Sequence, residues 1–436
     1  MKLMAEKDLE AELAIDQEML TLAEGRTAPP TDMEIFPFDS NPNRKKADDS
    51  IKMLFGSNPP EYDEALTKKL SLSNWVGDPL SDVAILKIRR DGQNPHEVID
   101  KFLEGGIDAV ENPSPELQQI WKDVSEDPEW LDWDKLELGA KFFRDYGVYG
   151  FQFQGIATLD SYRSRSIART LMSTGQYSDE TAFKRFLLTC NFWSDVSDAG
   201  GMRTFQDGWK TALRVRLLHT LIRRAVFASD RWDKEALGMP INQLGLMGAP
   251  VIGSLVMGMA SRKLGWKLTD EEVEAVLHLW RYVSHIMGYD NSVVPYPNTI
   301  EEGRHYFYQL LLQSKSSDDE DGIRLCKSFI DCFEPSKDLK GVEKVKRWWE
   351  YQSNLAMALL FVSKDTRKLA EIPTNKFWTI VYFGIAIPKN LYRSWRRKKS
   401  PAYADALDKK VTKERRDWVN RQLNEADLVY RPASKF

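Results

Sequence analysis

Apolar residues recur at spacings of three and four over 64–72, 115–124, 134–146, 179–193, 209–226, 270–287, 301–313 and 341–361, the pattern of helices that bury one face. Alternating apolar and polar runs are scarce, so strands are not expected. Helix starts agree with the pattern. Thr269 with Glu272 forms a capping box, and Ser178 precedes Asp179 and Glu180 in a first turn. The Gly-containing and acidic stretches 198–201 and 316–322 read as loops between helices. The prediction is an all-α protein built as a single large helical domain.

Two apolar stretches need separate treatment. Residues 241–261 run without a charge and are long enough to cross a bilayer. Asn242, Gln243, Pro250 and four glycines argue instead for a broken helix pair, buried in protein or lining a cavity. The second stretch, 377–387, is too short to cross. Pro388 is expected to close it, with the basic run 393–399 following. That order reads as a buried helix with a solvated cationic tail, the alternative being peripheral contact with anionic lipid. No transmembrane span is expected.

Residues 1–60 carry charge, paired prolines (Pro29, Pro30, Pro59, Pro60) and little periodicity, as in a loosely docked N-terminal arm. The first twenty residues mix acids into their apolar positions and resemble neither a signal peptide nor an anchor. A cytoplasmic location follows as the expectation, with membrane association as its alternative form. The 436 residues, 42% of them hydrophobic, suffice for a large core. A net charge of −4 offers no concentrated Lys/Arg surface for phosphates, so nucleic acid is not an expected partner. Cys190, Cys326 and Cys332 are too few and too scattered for a disulfide framework or a four-ligand zinc site. No Gly-rich phosphate loop or fixed-period repeat occurs.

Five histidines carry the remaining chemistry. His96 reads as an exposed turn residue, and His305 as a packed, hydrogen-bonded one. His278 and His285 point away from the apolar stripe of their helix and read as a solvated face, with a pairing of the two as the alternative. His219 differs, because it shares the apolar face of its helix with Ala212, Val215, Ile222 and Val226, while Arg216 and Arg223 stand one turn to either side. On the residues alone this is a core histidine hydrogen-bonded to something. One imidazole beside cations in an apolar wall is also what a haem requires.

The string RVRLLHTLIRR at 214–224 resembles the haem-dependent oxygenase family that includes latex clearing protein (rubber oxygenase) and the oxygenase of the mycophenolate pathway. The family's R-x-x-H-x-x-x-R helix reads here as Arg216, His219 and Arg223, and its upstream arginine and threonine as Arg185 and Thr189 in FKRFLLTCNFW. Looser likeness runs through 130–133, 173–175 and 278–288, so the resemblance covers about residues 70–395 and leaves 396–436 as a charged C-terminal extension. It implies a globin-like haem-binding core, a b-type haem with His219 as its proximal iron ligand, and Arg185 and Thr189 on the distal, catalytic side. Arg216 and Arg223 then bind the propionates or pair with acids in the core. For Arg185 and Thr189 the alternative is a surface arginine and a threonine bonded to its own helix.

Two departures qualify what the resemblance implies. Rubber-cleaving members have a glutamate for proton transfer where this chain has Arg169, so either the alignment slips, with Glu180 nearest, or that transfer is not used. Leu188 stands where some of those members have lysine. The expected function is a haem b-dependent oxygenase using dioxygen on a hydrophobic small molecule, in one form by oxidative cleavage of a carbon–carbon double bond. The apolar stretch 244–260 is the expected route for that substrate. A non-catalytic haem protein for ligand binding or sensing and a haem-free helical scaffold are the alternatives.

Overall fold

The structure is a computed structural model that describes residues 6–173, 182–313 and 319–421, with side chains from residue 12 onward. Every regular element among the described residues is helical, so the all-α expectation holds. Helices Glu64–Leu72 and Gly341–Phe361 have the bounds read from periodicity, and Asp207–Phe227, Asp270–Ile286 and Ile300–Gln313 differ by one or two residues. The capping box at Thr269 forms with both its hydrogen bonds. Ser178, Asp179, Glu180 and the loop residues 316–318 lie outside the described residues.

One apolar cluster runs through most of the molecule and includes Phe102, Phe143, Phe186, Trp209, Leu217, Trp280 and Met357. At its centre, helix Trp133–Asp145 lies against helix Asp270–Ile286 so closely that a Cβ at Gly139 would run into the Ala275 carbonyl oxygen. The N-terminal arm, expected to be loosely docked, contributes Met19, Ala47, Ile51 and Leu54 to buried clusters, and its Asp16 accepts from Arg224 Nε at 2.6 Å. The C-terminal helix Pro401–Asn420 is likewise anchored: Leu407, Val411, Trp418 and Val419 are buried, and the Arg415 guanidinium donates to the Trp193 carbonyl and the Ser197 hydroxyl at 2.9 Å.

The expected break within 241–261 is absent. Helix Gln243–Val251 passes through a π turn, Ile252–Val256, directly into helix Met257–Lys263. Pro250 is accommodated just before the wider turn, where the regular bonding pattern already changes. Leu246, Met247, Val251 and Leu255 are buried, whereas Leu244, Gly245, Gly248, Ala249, Ile252 and Val256 keep accessible surface along the other side. Gly245 and Ala249 are exposed, and a Cβ at Gly248 would meet nothing within 4 Å. Among the described residues this is the one helix long and apolar enough to cross a membrane, and 67% of its most apolar window is buried in protein.

Pro388 does not end its helix either. A single helix spans Lys376–Lys399, burying Tyr382, Asn390, Ser394 and Arg397 and exposing Phe377, Ile380, Ile385, Leu391, Tyr392 and Trp395. The expected buried apolar helix with a solvated tail is therefore corrected: Gly384, Ile385 and Pro388 all face outward, so the missing Pro388 N–H leaves the exposed Gly384 carbonyl without its helical donor, at a surface where water reaches it.

Candidate functional site

The His219 helix, Asp207–Phe227, packs against helix Ala182–Ser197, which carries Arg185 and Thr189. Ala212, Ile222 and Val226 are buried on the His219 face, and Val215 is half-buried beside it. His219 Nδ1 is buried with no hydrogen-bond partner among the described residues, although the residue as a whole keeps accessible surface. A buried imidazole nitrogen normally has a partner, so the unfilled valence marks a place where something else belongs. Burial first, then the charges of Arg223 and Arg185, depress the His219 pKa to about 3, and the opposing pull of Asp78 is smaller. The ring is therefore neutral at physiological pH and offers a lone pair.

Arg216 and Arg223 resolve the two readings left open for them, because both are paired with acids. Arg216 donates from Nε to Asp78 Oδ2 at 2.7 Å and from Nη2 to Asp78 Oδ1 at 3.0 Å. Arg223 donates from Nε to Asp82 Oδ1 at 2.9 Å and from Nη1 to the Ile241 carbonyl at 2.9 Å. Both acids come from the start of helix Pro79–Arg90, where Asp78 is also the N-cap. Ser81 and Thr220 share a 2.6 Å hydroxyl contact between the two ion pairs. The polar seam is a docking strip: residues 78, 81 and 82 fit against 216, 220 and 223 on the flank adjoining the His219 face. Burial opposes ionisation of Asp78, but Arg216 and Arg223 outweigh it and hold the carboxyl below its usual range. At Asp82 burial prevails and pushes the carboxyl up to about 6.

Thr189 donates from Oγ1 to the Arg185 carbonyl at 3.1 Å, the backbone-bonded alternative for that residue. Arg185 itself is half-buried, and its charge acts on His219 across the helix pair, so the structure brings the expected distal arginine near the expected proximal ligand. Leu188 is half-buried against the core between them in sequence.

Arg169 pairs with Asp319 at 3.5 Å and lines a cavity of about 280 Å³ together with Met172, Val226, Trp232 and Asp321. Val226 lies two turns beyond His219 on the same helix face. A carboxylate does line this cavity, and it is Asp321 rather than a residue near Arg169 in sequence. In the sequence it belongs to an acidic stretch that reads as a loop, whereas helix Glu320–Asp331 begins there with Asp319 as its N-cap. Glu180, the other carboxylate considered, lies outside the described residues.

A second cavity, of about 440 Å³, borders the Asp78–Arg216 pair and is walled by Trp130, Arg281, His285 and Tyr289. Here the expected solvated face is corrected. His278 is buried and accepts at Nε2 from the Asp132 N–H at 3.1 Å, and His285 donates from Nε2 to the Asp123 carbonyl at 2.8 Å. Both rings stand edge-on to Trp130, at 5.7 and 5.9 Å between centroids. Helical periodicity located the core-facing stripe of their helix but not the loop that returns to cover its other side. His305 meets Asp63 at 3.3 Å, as its packed reading implied. Among the described residues no cluster of three or more His, Cys, Asp or Glu is arranged to hold a bare metal ion.

The described residues fit a haem at one point: His219 is a neutral imidazole in an apolar wall with a partnerless ring nitrogen. Propionate binding by Arg216 and Arg223 would require them to share or leave Asp78 and Asp82.

Comparison with known proteins gives three matches. Residues 158–395, more than half of the chain, match the family described as ER-bound oxygenase mpaB/B'/rubber oxygenase, catalytic domain. The rubber oxygenase of Streptomyces sp. (strain K30) is 23% identical over 202 residues, covering 45% of this chain and 47% of that protein, so the chain aligns with about half of the relative's length. A solved structure of latex clearing protein LCP in the closed state superposes with a TM-score of 0.61 at 16% identity, over 86% of this chain and 96% of that one, which is a likeness of fold. Arg185, Thr189, Arg216, His219 and Arg223 all fall inside the matched region, and the chain belongs to the mpaB/rubber oxygenase catalytic-domain family.

Proposed function

We propose that this protein is a haem b-dependent oxygenase that uses dioxygen on a hydrophobic small molecule, with His219 as the proximal ligand. The observation that carries the reading is the buried, unpartnered Nδ1 of a neutral His219 on the R-x-x-H-x-x-x-R helix of this family. When bound, the haem supplies the redox-active iron for the dioxygen chemistry. The chain supplies the surroundings. Ile222 and Val215 exclude water beside the ligand, and the positive charge of Arg185 favours negative charge developing nearby. Thr189 becomes a donor to a bound molecule by turning its hydroxyl away from the Arg185 carbonyl. The accessible stripe Leu244, Gly248, Ala249, Ile252 and Val256 provides apolar wall for a lipophilic substrate.

Asp321 is the carboxylate we assign to proton movement in this chain, since it lines the same cavity as Arg169, the residue that stands where the resemblance leads one to expect a glutamate. Asp321→Asn should leave haem content unchanged and lower turnover about 10²- to 10⁴-fold. Oxygen consumption with a series of olefins measures it.

Absorbance of protein expressed with haem supply tests the proposal as a whole. A Soret band that is lost or shifted in His219→Ala supports it; no band, or an unchanged band in the variant, sinks it. The non-catalytic reading draws on Arg169 standing in place of a carboxylate. It would be preferred if Soret absorbance is present but Arg185→Ala leaves oxygen uptake at the same background as wild type.

A further inference from the structure

The helix Lys376–Lys399 has its polarity inside out. In its second half the buried side is polar: Asn390 donates to the Leu264 carbonyl at 3.0 Å, Ser394 accepts from the Lys267 N–H at 3.1 Å, and Arg397 donates to Asp145 at 3.0 Å and Glu272 at 3.1 Å. The outward side is apolar and aromatic. Phe377 is 65% exposed, Ile380 73% and Trp395 51%, with Ile385, Pro388, Leu391 and Tyr392 between them. Positions 377, 380, 384, 388, 391 and 395 step by three and four, so these residues form one continuous stripe along about 27 Å of helix. A helix serving only as the rim of a water-soluble core would place these side chains the other way round.

Charge selects the occupant of the stripe. The helix contains seven Lys or Arg and no Asp or Glu, in a chain whose net charge is −4. Arg393 and Arg397 are turned inward onto Asp145. Lys376, Lys389, Lys398 and Lys399 are exposed beside the stripe, and Tyr392 and Trp395 provide the aromatic side chains that favour a membrane–water boundary. Lys399 Nζ lies 4.9 Å from the Trp395 ring. The neighbouring helix Gly341–Phe361 joins this edge through Trp348, whose ring contacts Trp378 at 4.7 Å, and exposes Val342 and Val345 on its first turn.

We propose that this face lies on an anionic lipid bilayer, with the helix parallel to the membrane and its apolar stripe in the headgroup boundary. The attachment is peripheral and is independent of the haem chemistry, so it stands or falls apart from the oxygenase reading. It also places a lipophilic substrate's own solvent against the protein.

Co-sedimentation of the full chain tests it, using vesicles of phosphatidylcholine alone or with about 20% phosphatidylserine. The wild type should sediment with the mixed vesicles and much less with phosphatidylcholine. Ile380→Asp and Trp395→Asp should each weaken partitioning roughly tenfold. Lys398→Glu should weaken it roughly fivefold on the mixed vesicles and leave phosphatidylcholine binding as it was. All three residues are exposed, so circular dichroism and melting temperature should match wild type in each variant. A wild type that stays in the supernatant with both vesicles overturns the proposal, as does an Ile380→Asp variant that sediments like wild type. A wild-type dimer that ignores vesicles and dissociates on Ile380→Asp overturns it in favour of a second copy.

Discussion

His278 and His285 both pack at right angles to the Trp130 ring and stay uncharged while doing so. Burial is the main cause, lowering His278 to about 4 and His285 in the same direction. Folded values below the unfolded value of about 6.5 mean that the unfolded chain binds the extra protons. The stability from neutral His278 is therefore fully present above pH 6.5 and is lost as pH falls from there toward 4. Melting temperature should drop across that window, and His278→Gln, which retains an acceptor for the Asp132 N–H, should flatten the drop. The Asp78–Arg216 pair allows a different test. Asp78→Ala leaves a guanidinium buried without its counter-charge, at a cost of about 3–5 kcal/mol in urea unfolding. Replacing both partners with Leu and Met should recover most of that loss.

Close approach and open space separate the helix pair at the centre of the core from the accessible side of helix Gln243–Val251. Gly139→Ala forces the Trp133–Asp145 and Asp270–Ile286 helices apart and should cost about 1–3 kcal/mol. Gly248→Ala, on the accessible wall, meets no atom and should stabilise by up to about 1 kcal/mol through helix propensity. Denaturant titration of both variants checks the contrast in sign. The same contrast explains which elements were legible in the sequence. Helices 64–72 and 341–361 have a clear apolar stripe at helical spacing, and their ends were read correctly. The sequence pattern of Lys376–Lys399 suggests a stop at Pro388, but the helix continues because the ring and the freed Gly384 carbonyl face outward, where water serves the carbonyl. Helix Pro79–Arg90 was missed, although Asp78 followed by Pro79 is a regular start signal.

The whole molecule depends on its last described helix more than its charge suggests. Trp418 sits among the rings of Phe151, Phe183 and Phe186, and Arg415 is buried against the carbonyl end of the Arg185 helix. A chain ending at Ser400 should lose its cooperative thermal transition and aggregate, because Phe151, Phe186 and Trp193 would face water; calorimetry and light scattering would show it. At this scale the site was only half legible. The string 214–224 points to the proposed ligand face, since all its members lie on one helix. The acids that take up Arg216 and Arg223 are 138 and 141 positions away, and nothing in local spacing points to them.

The π turn at Ile252–Val256 sets a rule about length for the apolar wall. It stores one surplus residue, so everything after it is rotated by about 100° relative to an unbroken helix. Met257, Met259 and Ala260 reach the core only because of that offset. Removing one residue from the turn would regularise the helix and leave those three facing the core, whereas adding one would rotate them by about 100°. A single-residue deletion here should therefore be tolerated better than a single-residue insertion.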